Sequence, residues 1–199
     1  MTDSLKQYAM EHQVPVMQDE GLEFLLDQIR KNKCKIVLEL GTAIARSAIA
    51  IANVDPEIQV YTIERNPEMI KQARINIENS TVSDQIHLIE GDALYVEFPK
   101  IQYDCIFIDA AKAQYIRFFE RYCPFLSQNG IIISDNMNFH GMVQHPELTT
   151  NRNTLQLVRK IQKYHEFLKK IDGFSTEFYS LGDGVSLTRR DIKWNLENY

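Results

Sequence analysis

Five short apolar segments, separated by stretches with helical periodicity, constrain the fold of this chain more than any other feature. The apolar segments lie at residues 35–40, 58–63, 86–89, 103–108 and 131–133. The helical stretches between them are predicted at 44–52, 67–79 and 112–126. Apolar runs of this length, bounded by turn residues, are typical of strands that are buried on both faces. The alternation therefore predicts an α/β fold with a mostly parallel sheet and helices on both faces.

The sequence on either side of this alternation adds a helical cap and a hairpin. Residues 1–32 show the periodicity of two helices, and 152–170 that of a long charged helix. Two strands are predicted after it, near 175–181 and 184–189. Because Gly182-Asp183-Gly184 is a hairpin signal, the last strand should run antiparallel to its neighbour. We predict one domain over 1–199, with a seven-stranded sheet and 1–32 as an N-terminal helical cap.

Composition excludes several classes of protein. The chain of 199 residues has 44% hydrophobic and 25% charged residues, as is usual for a globular domain. No apolar run approaches the ~20 residues that span a bilayer, and the N-terminus lacks an apolar signal core, so we expect a cytoplasmic protein. A net charge of −5 gives no overall signature of nucleic-acid binding, although a local basic face is compatible with it. The three cysteines lack metal-ligand spacing and are expected to be structural.

Each of the five apolar segments ends in acidic or amide residues. These are Glu39, Glu64, Asp92, Asp109 and the pair Asp135-Asn136. Ligands of an open parallel sheet bind outside the carboxyl ends of its strands, so these side chains should line one site. An acid after the second strand typically accepts hydrogen bonds from a ribose diol, which suits Glu64. Two carboxylates and an amide from adjacent strand ends, at Asp109, Asp135 and Asn136, form a hard oxygen site suited to Mg²⁺.

The loop after the first strand argues against a nicotinamide cofactor. It reads Gly41-Thr-Ala-Ile-Ala-Arg-Ser47 and has one glycine where a dinucleotide fingerprint needs three. A ligand without phosphates, with an adenosyl group and a charged amino-acid tail, fits this loop better. Ser47, near the start of the following helix, is placed to hydrogen-bond that tail.

The sequence resembles the metal-dependent O-methyltransferases of the catechol and caffeoyl-CoA type over nearly its whole length. The blocks that carry the resemblance are VLELGTAIARSAIAIA, YTIERNPEMIKQAR, IHLIEGDAL, YDCIFIDAAKAQYIRFFE and IIISDNMNFHGMV, and the most specific are IDAAK and SDN. The resemblance implies a Rossmann-like class I methyltransferase fold, S-adenosylmethionine and Mg²⁺ as cofactors, and a homodimer.

The resemblance also implies a role for individual residues. The magnesium ligands would be Asp109, Asp135 and Asn136, and Lys112 would act as general base beside Asp109. The cofactor-binding residues would be Met17, Gly41, Ser47, Glu64, Asp92, Ala93 and Asp109. In the implied mechanism the metal lowers the pKa of the acceptor hydroxyl, and the oxyanion attacks the sulfonium methyl group in line.

One departure from the family pattern falls in the cofactor loop. The family usually has Gly-Tyr before the loop serine, whereas this chain has Ala45-Arg46. We expect the methyl group of Ala45 to lie close to the cofactor and to weaken or shift its binding at most. Arg46 has two interpretations: a positive charge at the mouth of the site that suits an anionic substrate, or a solvent-exposed helix arginine.

Three functions remain open. The short chain and the VPVM and IDAAKAQY blocks are most similar to the family branch that methylates 5-hydroxyuridine at the wobble position of bacterial tRNA. The alternatives are a small catechol or phenolic acceptor, and a cofactor-binding protein without catalysis. Basic residues that could contact phosphates, or simply be solvated, are Arg46, Lys112, Arg117, Arg121, Arg152, Arg159, Lys160 and Lys163. Phe139 and His140 either stack on a base or, for Phe139, belong to the core.

Overall fold

The strands and helices follow the order that the sequence predicts. The computed structural model describes residues 2–191, so residue 1 and residues 192–199 of the predicted domain lie outside the described residues. The strands are β1 (Ile36–Leu40), β2 (Gln59–Glu64), β3 (Ile86–Glu90), β4 (Tyr103–Ile108), β5 (Leu126–Ser134), β6 (Phe174–Tyr179) and β7 (Val185–Arg190). The helices are α1 (Thr2–Glu11), α2 (Asp19–Lys31), α3 (Arg46–Ala52), α4 (Pro67–Glu78), α5 (Tyr115–Tyr122) and α6 (Arg152–Lys170).

The seven strands form one sheet with the order β3-β2-β1-β4-β5-β7-β6. β1 pairs in parallel with β2 on one side and with β4 on the other, so the chain reverses its direction of winding between β1 and β4. β7 runs antiparallel to both of its neighbours, β5 and β6. The predicted seven-stranded, mostly parallel sheet with an antiparallel last strand is confirmed. In such a sheet the crevice at the reversal point is where ligands bind.

Hydrophobic side chains cover the sheet on both faces, as predicted. Alternate residues of β1 point to opposite faces, because successive side chains of a strand alternate. Val37 belongs to a core that includes Ile29 of α2 and Ile49 of α3. Leu38 belongs to the other core, which is rich in aromatic rings such as Phe119 of α5. The helices that carry these residues hold the sheet rigid, which fixes the relative positions of the strand ends.

The segment between β4 and β5 departs from the prediction of one helix over 112–126. It consists of a 3₁₀ turn (Lys112–Gln114), α5, and a second 3₁₀ turn (Cys123–Phe125). Pro124 lacks a backbone N–H, so a regular helix cannot continue through it. β5 then begins at Leu126, five residues before the predicted strand at 131–133, because its polar start carries no apolar signal.

Two further expectations concern the cysteines and the membrane. No disulfide is present among residues 2–191, and burial raises the pKa of the Cys34 thiol to about 12, so this thiol is protonated and unreactive at neutral pH. Within the same described range, no helix has the length and apolarity that crossing a membrane requires.

Candidate active site

The five strand ends open onto one cavity of about 690 Å³. Most of the residues predicted for the site lie on its wall: Met17, Gly41, Ser47, Glu64, Asp92, Ala93, Asp109, Lys112 and Asn136. Asp135 is buried and hydrogen-bonds Asn136. The structure therefore brings together residues that are up to 119 positions apart, from Met17 to Asn136, at the carboxyl edge of the sheet.

Gly41, directly after β1, is in close contact with the backbone of Asp109, directly after β4. Its φ of +100° lies in the region that favours glycine. A Cβ at this position would lie 2.3 Å from the carbonyl oxygen of Asp109. The ends of β1 and β4 therefore approach so closely that only a hydrogen atom fits between them. This is a structural reason for the single glycine of the loop.

Ala45 is fully buried in the core, and the prediction that its methyl group lies against the cofactor is wrong. Ala45 is the N-cap of α3 and has a left-handed backbone, with φ of +66° and ψ of +23°. Left-handed helical geometry costs a residue with a Cβ roughly 1–2 kcal/mol. The cost of alanine instead of glycine therefore falls on the backbone of the loop and not on the space available to the ligand.

The interpretation of Arg46 as a solvent-exposed helix arginine is wrong, because only 6% of the residue is exposed. Arg46 does line the cavity, as the other interpretation expects, but its guanidinium is paired within the protein. Its Nη1 donates to the carbonyl oxygen of Met17 at 2.8 Å, and its Nη2 donates to the carboxylate of Asp19 at 2.5 Å. Asp19 also forms an ion pair with Lys6. Arg46 thus ties the N-terminal segment 12–19 to the first turn of α3. The sequence gives no signal of this, since both partners lie more than 25 residues away.

The N-terminal segment covers one side of the cavity. Residues 12–17 all line it, and Met17 is buried. Of these, sequence reasoning identified only Met17. The segment reaches the cavity because Arg46 holds the backbone of Met17 and the side chain of Asp19. The departure from the family pattern at position 46 therefore has a structural role in closing the site.

Glu39 is a second residue whose role sequence reasoning missed. It is fully buried, and its carboxylate accepts hydrogen bonds from the hydroxyls of Ser47 and Thr62, the latter at 2.5 Å. Burial raises the pKa of Glu39 to about 7, although both hydrogen bonds oppose this. Because the Ser47 hydroxyl donates its hydrogen bond to Glu39, its oxygen remains available as an acceptor on the cavity wall. Ser47 is thus suited to a ligand that donates a hydrogen bond, such as an ammonium group.

Backbone amides fix Glu64 at the end of β2. One carboxylate oxygen accepts from the N–H groups of Arg65 and Asn66, and the other accepts from the N–H of Ala43, each at 2.9 Å. The carboxylate is therefore held in place against the loop after β1. A carboxylate has about four acceptor positions and three are filled here, so the oxygen that accepts from Ala43 retains capacity for one ribose hydroxyl.

Asp92 follows β3 and lies on the same side of the cavity as Glu64. It accepts hydrogen bonds from the backbone N–H of Leu94 and from the guanidinium of Arg65, both at 2.9 Å. The Leu94 hydrogen bond, followed by the Arg65 contact, lowers the pKa of Asp92 below its usual range. Asp92 is therefore ionised at neutral pH. Together with Glu64 it gives this half of the cavity fixed acceptors suited to a nucleoside.

Asp109, Asp135 and Asn136 meet at the ends of β4 and β5. The amide nitrogen of Asn136 lies 3.2 Å from an Asp109 oxygen and 3.0 Å from an Asp135 oxygen. Burial, and then the charge of Asp135, raises the pKa of Asp109 well above its usual range, whereas the charge of Lys112 lowers it. Burial raises the pKa of Asp135 to about 6. The charge of Lys112 lowers both pKa values, but it does not offset the effect of burial on either carboxylate.

The donor set fits a hard divalent cation. In residues 2–191 no three His, Cys, Asp or Glu side chains cluster as a metal site, so a cation would depend on two carboxylates and one amide. The N–H group of Asn136 occupies the place between Asp109 and Asp135 where a cation would be stabilised. Half a turn of the amide replaces this N–H group by an oxygen. Mg²⁺ is commonly held by few protein oxygens and keeps water or substrate oxygens in its other positions.

Lys112 and Phe139 form the edge of this half of the site. Lys112 is partly buried in the 3₁₀ turn after β4, and its ammonium group lies 5.8 Å from the centre of the Phe139 ring. Phe139 is itself partly buried, so the interpretation as a core residue is wrong. The neighbouring His140 is exposed, and its backbone N–H donates to Asp183. Lys112 is therefore next to the paired carboxylates with an aromatic ring beside it.

Comparison with known proteins agrees with this geometry. A family model described as O-methyltransferase matches residues 2–191. A caffeoyl-CoA O-methyltransferase of Populus kitakamiensis is 28% identical over 185 residues, which cover 89% of this chain and 77% of that protein. The O-methyltransferase ankF of Aspergillus thermomutatus is 28% identical over 170 residues, covering 79% of this chain and 71% of that protein.

Solved structures give the same result. A candidate caffeoyl-CoA O-methyltransferase of Staphylococcus aureus superposes with a TM-score of 0.92 and 38% identity, covering 96% of this chain and 92% of that one. The fold of a Bacillus cereus O-methyltransferase, solved in complex with SAH, is also similar, with a TM-score of 0.80 at 21% identity. The predicted Rossmann-like methyltransferase fold is confirmed, and the chain belongs to the O-methyltransferase family.

Proposed function

We propose that this chain is an S-adenosylmethionine- and magnesium-dependent O-methyltransferase that converts 5-hydroxyuridine at the tRNA wobble position to 5-methoxyuridine. The observation that carries the proposal is one cavity with two chemically different halves. One half presents the fixed acceptors Glu64 and Asp92, and the other presents Asp109, Asn136 and the amine of Lys112. Gly41 joins the halves with no side chain between them.

The first half suits an adenosyl ligand with an amino-acid tail. Glu64 is held by backbone amides on the cavity wall and retains acceptor capacity for a ribose hydroxyl, and Ala93 follows Asp92 on the wall that would face the adenine. Ser47 is suited to accept a hydrogen bond from the ammonium group of the tail, because its own hydroxyl hydrogen is donated to Glu39 in a hydrogen bond. Met17 covers the ligand from the N-terminal side. The cofactor supplies an activated methyl group bound to a sulfonium sulfur.

The second half suits a hydroxyl acceptor. Asp109, Asp135 and Asn136 would hold Mg²⁺, which lowers the pKa of a nearby hydroxyl group. Lys112 is placed to accept the hydroxyl proton, which its amine can do in its neutral form. The acceptor oxygen then bonds to the methyl carbon as the carbon–sulfur bond breaks. The residues of the site contribute alignment and charge stabilisation.

The acceptor is assigned from the sequence blocks and from the surface beside Lys112. VPVM and IDAAKAQY are most similar to the tRNA-modifying branch of the family. Phe139 beside Lys112 offers a ring on which an unstacked base can lie. The second candidate, a small catechol or phenolic acceptor, is supported by the relatives named caffeoyl-CoA O-methyltransferases. A homodimer stays a prediction from the family resemblance.

A two-substrate assay separates the candidates. Purified protein is given S-adenosylmethionine with a labelled methyl group and either tRNA that contains 5-hydroxyuridine or a simple catechol, with Mg²⁺ or with chelator. We expect label in the tRNA, dependent on Mg²⁺, and loss of labelling in Lys112→Ala. Lys100→Ala, which changes an exposed lysine outside the cavity, is the matched control. Label in the catechol alone would overturn the tRNA assignment, and undiminished labelling in chelator would overturn the metal assignment.

A further inference from the structure

A second cavity, of about 230 Å³, lies beside the active site and shares Lys112 with it. It is bounded by residues 112–117 on one side and by α6 on the other. Its positively charged wall residues are Lys112, Arg117, Lys160 and Lys163. In the part of the chain that the structure describes, no carboxylate lines this cavity, which we call the basic cavity.

Lys112 lies beside Asp109 and Asp135, but the other three cations of the basic cavity form no ion pair within the described residues. Arg117 hydrogen-bonds two neutral groups, the side-chain oxygen of Gln114 at 3.1 Å and the hydroxyl of Tyr95 at 3.4 Å. These contacts orient the guanidinium without neutralising its charge. The guanidinium therefore keeps its capacity to bind an anion.

Two of the four lysines of α6 line the basic cavity, and they differ from the other two in having no ion-pair partner among the described residues. Near the end of α6, Lys169 and Lys170 both pair with Glu166 at 3.3 Å. Lys160 and Lys163 are exposed, and among residues 2–191 no carboxylate forms an ion pair with either of them. Residues three apart on a helix are neighbours, so both lysines lie on the same side of α6. An anion in the basic cavity would supply the partner that the chain itself does not.

We propose that the basic cavity binds backbone phosphates of the RNA strand that carries the acceptor nucleoside. The proposal rests on the proposed tRNA function. Because Lys112 lines both cavities, a strand whose nucleoside enters the active site passes the basic cavity within one or two nucleotides. Lysine ammonium groups bind phosphate as compact point charges, and Arg117 adds a planar donor. The site thus positions the strand without reading its sequence.

Charge-neutralising variants of α6 test this assignment. The double variant Lys160→Gln/Lys163→Gln is compared with Lys169→Gln/Lys170→Gln, which removes the same charge from the same helix outside the basic cavity. Methyl transfer is measured with tRNA that contains 5-hydroxyuridine, with the free 5-hydroxyuridine nucleoside, and with a catechol, over a range of salt concentrations. Cofactor binding by calorimetry serves as the folding control.

We expect the first double variant to raise the KM for tRNA about fivefold at physiological salt, as expected for two exposed ion pairs. The salt dependence of this KM, as a log–log slope, should fall by about 1 to 2. Activity on the free nucleoside should not change. An unchanged KM and slope, or an equal loss in the second double variant, would overturn the phosphate site while leaving tRNA methylation intact. If the wild type labels the catechol but no RNA, both proposals fall.

Discussion

Replacing Glu39 with glutamine should stabilise the cofactor-free protein at alkaline pH. Glu39 is fully buried, with its two oxygens on the hydroxyls of Ser47 and Thr62. The Thr62 hydroxyl lies 2.6 Å from that of Thr42, and either can donate in this pair. A glutamine amide can therefore be accommodated in the same space, because the threonine pair can reverse its hydrogen-bond direction.

The magnitude follows from the raised pKa of Glu39. Burial raises this pKa from its usual 4.5 to about 7, so the folded protein retains a proton that the unfolded chain releases in this interval. Stability therefore falls as the pH rises from about 4.5 to 7, and the penalty is fully present above pH 7. The difference between the two pKa values corresponds to about 3 kcal/mol. The variant Glu39→Gln carries no such penalty.

Urea unfolding followed by circular dichroism, without cofactor and with chelator, measures this effect between pH 5 and 8.5. We expect the free energy of unfolding of Glu39→Gln to exceed that of the wild type by up to about 3 kcal/mol at pH 8.5 and to approach it at pH 5. Glu97→Gln, at an exposed glutamate, should show no such pH-dependent difference. A Glu39→Gln variant that is no more stable than wild type at pH 8.5 would refute the reasoning that Glu39 is destabilised by burial.

Three further predictions concern the loop, the N-terminal segment and the paired carboxylates. Gly41→Ala should lower the melting temperature and abolish activity, because the new Cβ would lie 2.3 Å from a carbonyl oxygen. Gly141→Ala has a φ of +79° but its nearest atom at 3.7 Å, so it should cost only the backbone strain of about 1–3 kcal/mol. Equal losses of stability in the two variants would contradict the steric argument. Arg46→Gln should weaken cofactor binding in calorimetry about tenfold, as expected for loss of a charged hydrogen bond from a buried arginine to a half-exposed aspartate. Lys6→Gln, at the exposed end of the same network, should change binding little, and a reversed order would show that the segment is not held through position 46. Mg²⁺ should raise the melting temperature of the wild type but not of Asp135→Asn, and an equal rise in both would place the metal elsewhere.

The strands could be predicted because burial on both faces requires a local sequence pattern, a short apolar run that ends in a polar residue. The side chains that lie at the ends of these runs, such as Glu64 and Asp109, were therefore predictable as neighbours from topology alone. The polar residues 127–129 of β5 interrupt this pattern, since none of them is buried. This is why the predicted strand begins five residues after the start of β5 and the predicted helix before it is too long.

The role of Arg46 could not be predicted, because it depends on contacts with a distant part of the chain. A charged residue at the start of a helix is usually exposed, and only the arrangement of the N-terminal segment over the cavity makes Arg46 buried. The function of Glu39 depends in the same way on Thr62, 23 positions further along. Contacts between residues this far apart along the chain produce no periodic pattern in a single sequence.

The contact between Gly41 and the Asp109 carbonyl also bears on how such a protein diversifies. Since two backbone segments touch there, the spacing between the methyl donor and the acceptor oxygen belongs to the main chain, and side-chain substitutions leave it nearly constant. A lineage that acquires a new acceptor must therefore vary the parts outside this junction, such as the segment around Phe139 beside Lys112 and the face of α6 that lines the basic cavity. In an engineered variant, the same two parts are where exchange of whole segments can retarget the enzyme while the chemistry is retained.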